Sequence, residues 1–104
     1  MNSRAIEEAT LVRVKNVGEG VIGVEVSLPN APPLIVIAGK RGFIMCGYLD
    51  IITADKLNAV AARVRGVKNV EEMLSGEIET ATSRAMELGI RAGVKVKEVI
   101  DLLS

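Results

Sequence analysis

The stretch LIVIAGKRGFIMCGYLD, residues 34–50, decides the fold. Residues 34–38 form a continuous apolar run, which is typical of a central strand covered on both faces. The glycine-flanked residues 39–42 predict a turn, and residues 43–49 predict the next strand. Because a four-residue connection is too short for a parallel crossover, these two strands are predicted to pair antiparallel.

A second hairpin is predicted upstream of this stretch. Residues 10–17 alternate apolar and charged side chains with a period of two, residues 18–20 supply a glycine-rich turn, and residues 21–28 alternate again. In the latter strand Ile22, Val24, Val26 and Leu28 share one face, and Gly23, Glu25 and Ser27 share the other. The proline-rich residues 29–33 separate the two hairpins.

Helical periodicity replaces alternation downstream. With Thr53 as N-cap, apolar residues from Ala54 to Val64 recur at helical spacing, and Gly66 closes that helix. Asn69 begins a short helix that ends near Leu74. Two further helices are predicted over residues 82–88 and 96–103.

Runs of strands followed by runs of helices favour an α+β fold over a parallel βαβ sheet. The predicted fold is a single domain, residues 1–104. Antiparallel β-hairpins form a sheet in the N-terminal half, and short helices in the C-terminal half pack on it.

Charge and composition limit the partners of the chain. Thirteen basic residues balance thirteen acidic ones, so neither nucleic acid nor an anionic membrane is expected to bind. The first twelve residues lack the features of a signal peptide, and no apolar run approaches the roughly 20 residues that span a bilayer. A cytoplasmic location is therefore predicted, in agreement with the single cysteine.

The aliphatic content predicts self-association. Hydrophobic residues make up 49% of the chain and aromatic residues only 2%, which is a large aliphatic fraction for so small a domain to bury. A homo-oligomer interface accounts for the excess; the alternative is an unusually apolar monomer surface. The absence of Gln and Trp, with many Val, Lys, Arg and Glu, suits a thermophilic source.

Several chemistries are excluded by missing residue types. The chain has no histidine, so Ser-His-Asp and Cys-His arrangements and His-ligated zinc sites are impossible. A lone cysteine excludes a CxxC redox pair, and neither a Walker loop nor a GxGxxG motif is present. The sequence therefore implies no cofactor and no metal site.

Residues 39–50 are the candidate functional segment because they hold the only Phe, Tyr and Cys of the chain beside a Lys-Arg pair. We expect a ligand pocket here, with a small anionic ligand held by backbone N–H groups and the Arg41 fork. The alternative is a solvated hairpin tip. The predicted ligand-binding residues are Lys40, Arg41, Gly42, Cys46, Gly47 and Tyr48.

Three residues are candidates for catalysis: Cys46, Tyr48 and Asp50. Cys46 is either a small buried hydrophobe or a nucleophile served by Tyr48, Asp50 or a lysine as base. Tyr48 is either a core ring or a polar group that lines a pocket, and Gly47 marks a bulge or a close approach. A third possibility is a structural or regulatory subunit that binds another protein.

The segment FIMCGYLD, residues 43–50, and the residues 52–74 that follow resemble the small YunC-like family, a domain of unknown function found in bacteria and archaea. The resemblance extends over most of the chain, including residues 28–42 and 87–103. Its most specific part is MCGYLD, residues 45–50. The resemblance implies a compact cytoplasmic α+β domain and supports residues 39–50 as the site, but it supplies no catalytic residue, substrate or cofactor.

Overall fold

A six-stranded sheet forms the centre of the molecule, and its spatial order follows the chain order. The computed structural model describes residues 11–104. The strands are β1 (Val12–Gly18), β2 (Val21–Val26), β3 (Leu34–Ala38), β4 (Phe43–Met45), β5 (Ala61–Arg63) and β6 (Thr80–Ala81). The helices are α1 (Ile51–Lys56), α2 (Val70–Ser75), α3 (Ser83–Glu87) and α4 (Val96–Val99), and a 3₁₀ turn over Ile100–Leu103 follows α4.

Neighbouring strands are antiparallel except for β4 and β5, which are parallel. The predicted α+β class and the two N-terminal hairpins are confirmed. The sheet nevertheless extends into the C-terminal half through β5 and β6, and β4, α1 and β5 form a βαβ unit that the sequence pattern did not indicate. The predicted start of the first strand at position 10 and the predicted absence of a signal peptide concern residues outside those described.

The predicted helix from Ala54 to Val64 is wrong in both its beginning and its length. Asp50, not Thr53, is the N-cap, because its carboxylate accepts the N–H groups of Ile52 and Thr53 at 3.1 and 3.2 Å. The helix ends at Lys56, and Asn58 takes the left-handed conformation with φ 60°. The residues that follow enter the sheet as β5, since backbone pairing to β4 outweighs the helical spacing of their side chains.

The later helices are close to their predicted positions. Asn69 caps α2 by accepting the N–H of Glu72 at 2.7 Å, and Thr82 caps α3. The predicted last helix is split into α4 and the 3₁₀ turn, and its apolar stripe is buried as predicted. Within residues 11–104, no helix is long and apolar enough to cross a membrane.

The inner face of the sheet carries the core. Ile35, Ile37 and Ile44 project from it and are fully buried. α2 contacts β2 and β3 on this face, and the 3₁₀ turn contacts β2. The intervening side chains of β3 are only half-buried, so the prediction that β3 is covered on both faces is wrong.

A charged group holds α2 against β2. Glu25 is buried on the inner face, where its Oε2 accepts the Val70 N–H at 2.8 Å and the Lys15 ammonium at 2.9 Å. Gly23 leaves the space for this approach, because a Cβ there would lie 2.7 Å from the Val70 methyl groups. The Val70 N–H and then the Lys15 ammonium lower the pKa of Glu25 below its ordinary value.

The substitution Glu25→Gln is expected to lower the free energy of unfolding at neutral pH by about 1.5–3 kcal/mol, because the amide replaces charge-assisted hydrogen bonds with neutral ones. Folding lowers the pKa of Glu25. The ionised Glu25 carboxylate therefore contributes fully to the free energy of unfolding above the pKa that Glu25 has in the unfolded chain, and this contribution is lost as the pH falls through its pKa in the folded protein. Urea unfolding at neutral and acidic pH measures this: the difference between the two proteins should shrink in acid. A difference that does not depend on pH would contradict it.

Candidate functional site

Three loops enclose a cavity of about 490 Å³ at one edge of the sheet. β4 and β5 are parallel, so the loops that follow them leave the same edge, and the loop before the antiparallel β3 arrives there too. The lining residues come from these loops and are Pro32, Pro33, Cys46, Gly47, Tyr48, Arg65, Gly66, Val67 and Lys68.

Cys46 lines this cavity and is almost completely buried, with 4% of its surface exposed. Its Sγ accepts the Ile35 N–H at 3.3 Å and lies 3.9 Å from the Pro33 carbonyl oxygen. The Cys46 side chain, directly after β4, is therefore hydrogen-bonded to the start of β3. Among residues 11–104, no hydrogen bond joins the Cys46 thiol to Tyr48, Asp50 or a lysine.

Tyr48 forms a side wall of the cavity. The residue is 46% exposed, and its hydroxyl donates a hydrogen bond of 2.7 Å to the Pro32 carbonyl oxygen. The alternative of a core ring is therefore wrong, and Tyr48 is the pocket-lining residue of the other hypothesis. Gly47 lies in a turn and not within a strand, because β4 ends at Met45.

Two basic side chains line the cavity from the loop between β5 and α2. Arg65 is exposed, and its Nε lies 3.2 Å from a Glu79 carboxylate oxygen. Lys68 has no ion pair within the described residues 11–104. Gly66, between them, has a φ of +78°, so this loop needs a glycine there to turn. No acidic residue of the described chain lines the cavity.

Asp50, a predicted candidate for catalysis, and Asp55 of α1 both have structural roles. Besides capping α1, Asp50 accepts the Thr53 hydroxyl at 2.8 Å, and these bonds to Thr53 lower the pKa of Asp50. Asp55 accepts the Ser83 N–H at 2.7 Å and so joins α1 to α3. Neither residue lines the cavity.

The turn of residues 39–42 lies at the opposite edge of the sheet. It joins the other ends of β3 and β4, and it lines a second, more open cavity of about 590 Å³ that also includes Phe43 and Arg84. The predicted single pocket, in which Lys40 or Arg41 joins Cys46 and Tyr48, is therefore wrong. A hairpin places its tip and its strand ends at opposite edges.

The glycines of this turn allow close packing. A Cβ on Gly39 would lie 2.1 Å from the Leu103 carbonyl oxygen, and one on Gly42 would lie 2.5 Å from the Val60 carbonyl oxygen. The Arg41 N–H donates to the same Leu103 oxygen at 2.8 Å, and the Gly39 N–H donates to Gly42. These two N–H groups are already bonded, so they do not form the predicted anion site.

The basic loop of residues 65–68, RGVK, is not predicted from the sequence pattern, because the helix predicted up to Val64 makes Gly66 a helix end. A glycine beside basic residues, as in residues 39–42, was the signal available. The site shares Cys46, Gly47 and Tyr48 with the prediction and takes its positive charge from Arg65 and Lys68 instead of Lys40 and Arg41.

The fold and cavity define a class of small α+β domain, in which a mainly antiparallel sheet with one parallel strand pair among those described brings three loops together. The chain belongs to the family described as Domain of unknown function (DUF1805), whose model matches residues 45–103. It is 33% identical over 87 residues to the uncharacterized protein YunC of Bacillus subtilis, covering 80% of this chain and 85% of that protein. The YunC-like resemblance is confirmed.

A solved structure shares the whole fold. It is that of TA1206 from Thermoplasma acidophilum, a protein of unknown function that is 32% identical to this chain. The two superpose with a TM-score of 0.84 over 96% of this chain and 100% of that one. These relatives support the fold and the family and carry no assigned activity.

Glycine substitutions test the packing of the two loops. Gly39→Ala is expected to destabilise the protein by about 1–3 kcal/mol, because the new methyl group meets a backbone oxygen that cannot move freely. Gly47→Ala is the matched control and should change stability by less than about 0.5 kcal/mol, since its Cβ makes an ordinary contact with Arg65. Equal urea midpoints for the two variants would contradict this.

Cysteine substitutions test the role of the thiol. Cys46→Ala is expected to cost about 1–3 kcal/mol of stability, because it leaves the buried Ile35 N–H without an acceptor. Cys46→Ser should retain more of the stability, because the hydroxyl oxygen can accept that bond. Thiol labelling of the native protein should be much slower than in urea, and equal rates would show that Cys46 is not buried.

Proposed function

We propose that this protein binds a small anionic molecule with an apolar body in the cavity of Cys46, Tyr48, Arg65 and Lys68. The observation that carries the proposal is the pairing of an apolar wall with basic side chains in one cavity. The ligand is held without covalent chemistry, as the surroundings of Cys46 favour.

The size and lining of the cavity support a small organic ligand. A volume of about 490 Å³ lies within the range of about 300–1,000 Å³ found for small-molecule sites. Pro32, Pro33, Val67 and the Tyr48 ring supply rigid apolar surface. Such a wall favours a flat or compact apolar group.

The charges favour an anion. Arg65 and Lys68 line the cavity from one loop. The nearest contact between Glu79 and Arg65 is from a Glu79 carboxylate oxygen to the Arg65 Nε. The remaining guanidinium donors and the Lys68 ammonium can meet a carboxylate or phosphate. A cationic ligand would find no countercharge among the lining residues.

Titration of ¹⁵N-labelled protein with phenyl phosphate, followed by NMR, tests the proposal. We expect shifts confined to the amides of residues 46–48 and 65–68. Lys68→Gln and Arg65→Gln should each weaken binding about tenfold, because each removes a charge-assisted hydrogen bond. Inorganic phosphate should bind more weakly than phenyl phosphate, since it has no apolar body.

Lys97→Gln is the matched control, because Lys97 is an exposed lysine of α4 that lines neither cavity. It should leave the affinity unchanged. Equal losses in Lys97→Gln and Lys68→Gln would show only a general charge effect and would overturn the proposal. Shifts confined to residues 39–42 would place the anion at the other cavity instead.

A further inference from the structure

The outer face of the sheet is a continuous aliphatic surface. Cross-strand partners share a face, and one row runs from Val14 through Val24 and Val36 to Met45. The two flanking rows are Val12–Val26–Leu34 and Asn16–Ile22–Ala38–Phe43. These three rows are here called the outer face.

Part of the outer face is strongly exposed. Val14 is 64% exposed, Val12 is 52% exposed and Ile22 is 42% exposed. The helices that cover the inner face have no counterpart over β1 and β2 on this side within residues 11–104. Exposed aliphatic surface of this extent marks an interaction site.

Within β1–β4 the outer face contains no charged side chain; Arg63 of β5, the neighbour of Met45, borders it and is paired with Glu79. The charged residues of the same strands, Arg13, Lys15 and Glu25, alternate onto the opposite side, where Lys15 and Glu25 form an ion pair. On this hairpin the buried side therefore holds the ionic network, and the open side is apolar except for Asn16, the cross-strand partner of Ile22. That is the reverse of the usual arrangement of a half-exposed strand pair.

We propose that the outer face is the interface between two copies of this chain. The three rows carry no charged side chain, so two identical copies can bring these rows together without opposing like charges; Lys40, Arg41 and Arg84 lie beside them at the second cavity. Interfaces between identical subunits are more apolar than those between transient partners, and a two-fold dimer buries the same patch on each subunit. An uncharged aliphatic patch is complementary to itself.

The area is consistent with a dimer core. The four strands have 7, 6, 5 and 3 residues. At about 3.4 Å per residue and a spacing of about 4.8 Å they give a flat footprint of roughly 340 Å², before side-chain relief is counted. A standard interface buries about 800 Å² per partner, so the outer face supplies the apolar centre and adjoining loops supply the rim. Two such sheets pack face to face about 10 Å apart.

The second cavity gains a wall in this dimer. Val36, Ala38, Phe43 and Met45 belong both to the outer face and to the lining of the cavity beside residues 39–42. A copy seated on the outer face closes that open cavity. The excess aliphatic content of the chain and the open cavity then have one explanation.

Light scattering after size-exclusion chromatography tests the proposal on the full chain at micromolar concentrations. We expect a dimer. Val14→Lys and Val24→Lys should each raise the dimer dissociation constant by at least tenfold while the circular dichroism spectrum stays that of the folded protein. Ile52→Lys is the matched control, because Ile52 is 66% exposed on α1 and does not belong to the outer face; it should remain dimeric.

Two results would overturn the proposal. The first is a monomeric full chain at these concentrations; if it dimerises once residues 2–10 are deleted, the N-terminal segment is the occupant of the outer face. The second is a dimer that both outer-face variants leave intact.

Discussion

Ile44 of β4 and Ala62 of β5 lie side by side in the parallel pair of the sheet, and the position of the cavity depends on that pairing. Parallel strands send their following loops to the same edge, so residues 46–48 and 65–68 meet there. The antiparallel pairing of β3 with β4 brings the proline-rich loop to that edge and sends residues 39–42 to the other. These two pairings together bring three loops to one edge of the sheet, and they separate residues 39–42 from residues 46–48, which are close in sequence.

The two faces of the sheet have opposite environments. Ile35, Ile37 and Ile44 are sealed beneath helices on the inner face, and Glu25 shares that side because Val70 and Lys15 satisfy its carboxylate. The aliphatic outer face has no such cover over β1 and β2 within the described chain. Burial therefore follows the placement of helices, and an alternating pattern of apolar residues does not by itself identify the buried side.

Local signals predicted the turns and the later helix caps more accurately than the strand ends; the predicted cap at Thr53 is wrong, because Asp50 caps α1. Asn69 and Thr82 begin helices as expected, because a capping side chain bonds to backbone a few residues away. The stretch from Ala54 to Val64 was mispredicted, since its small apolar residues suit either a helix or a strand. Pairing with β4, which is distant in sequence, selects the strand for residues 61–63.

The sequence by itself determined the α+β class, the two N-terminal hairpins and the family, and it predicted a pocket at Cys46, Gly47 and Tyr48, which line a cavity in the structure. Periodicity, turn residues and motif identity are local properties that can be read directly from the amino-acid sequence. Only the tertiary structure decided that Arg65 and Lys68 join these residues, that Lys40 and Arg41 do not, and which face stays open. Those outcomes depend on contacts between distant segments, whose free energy no local pattern contains.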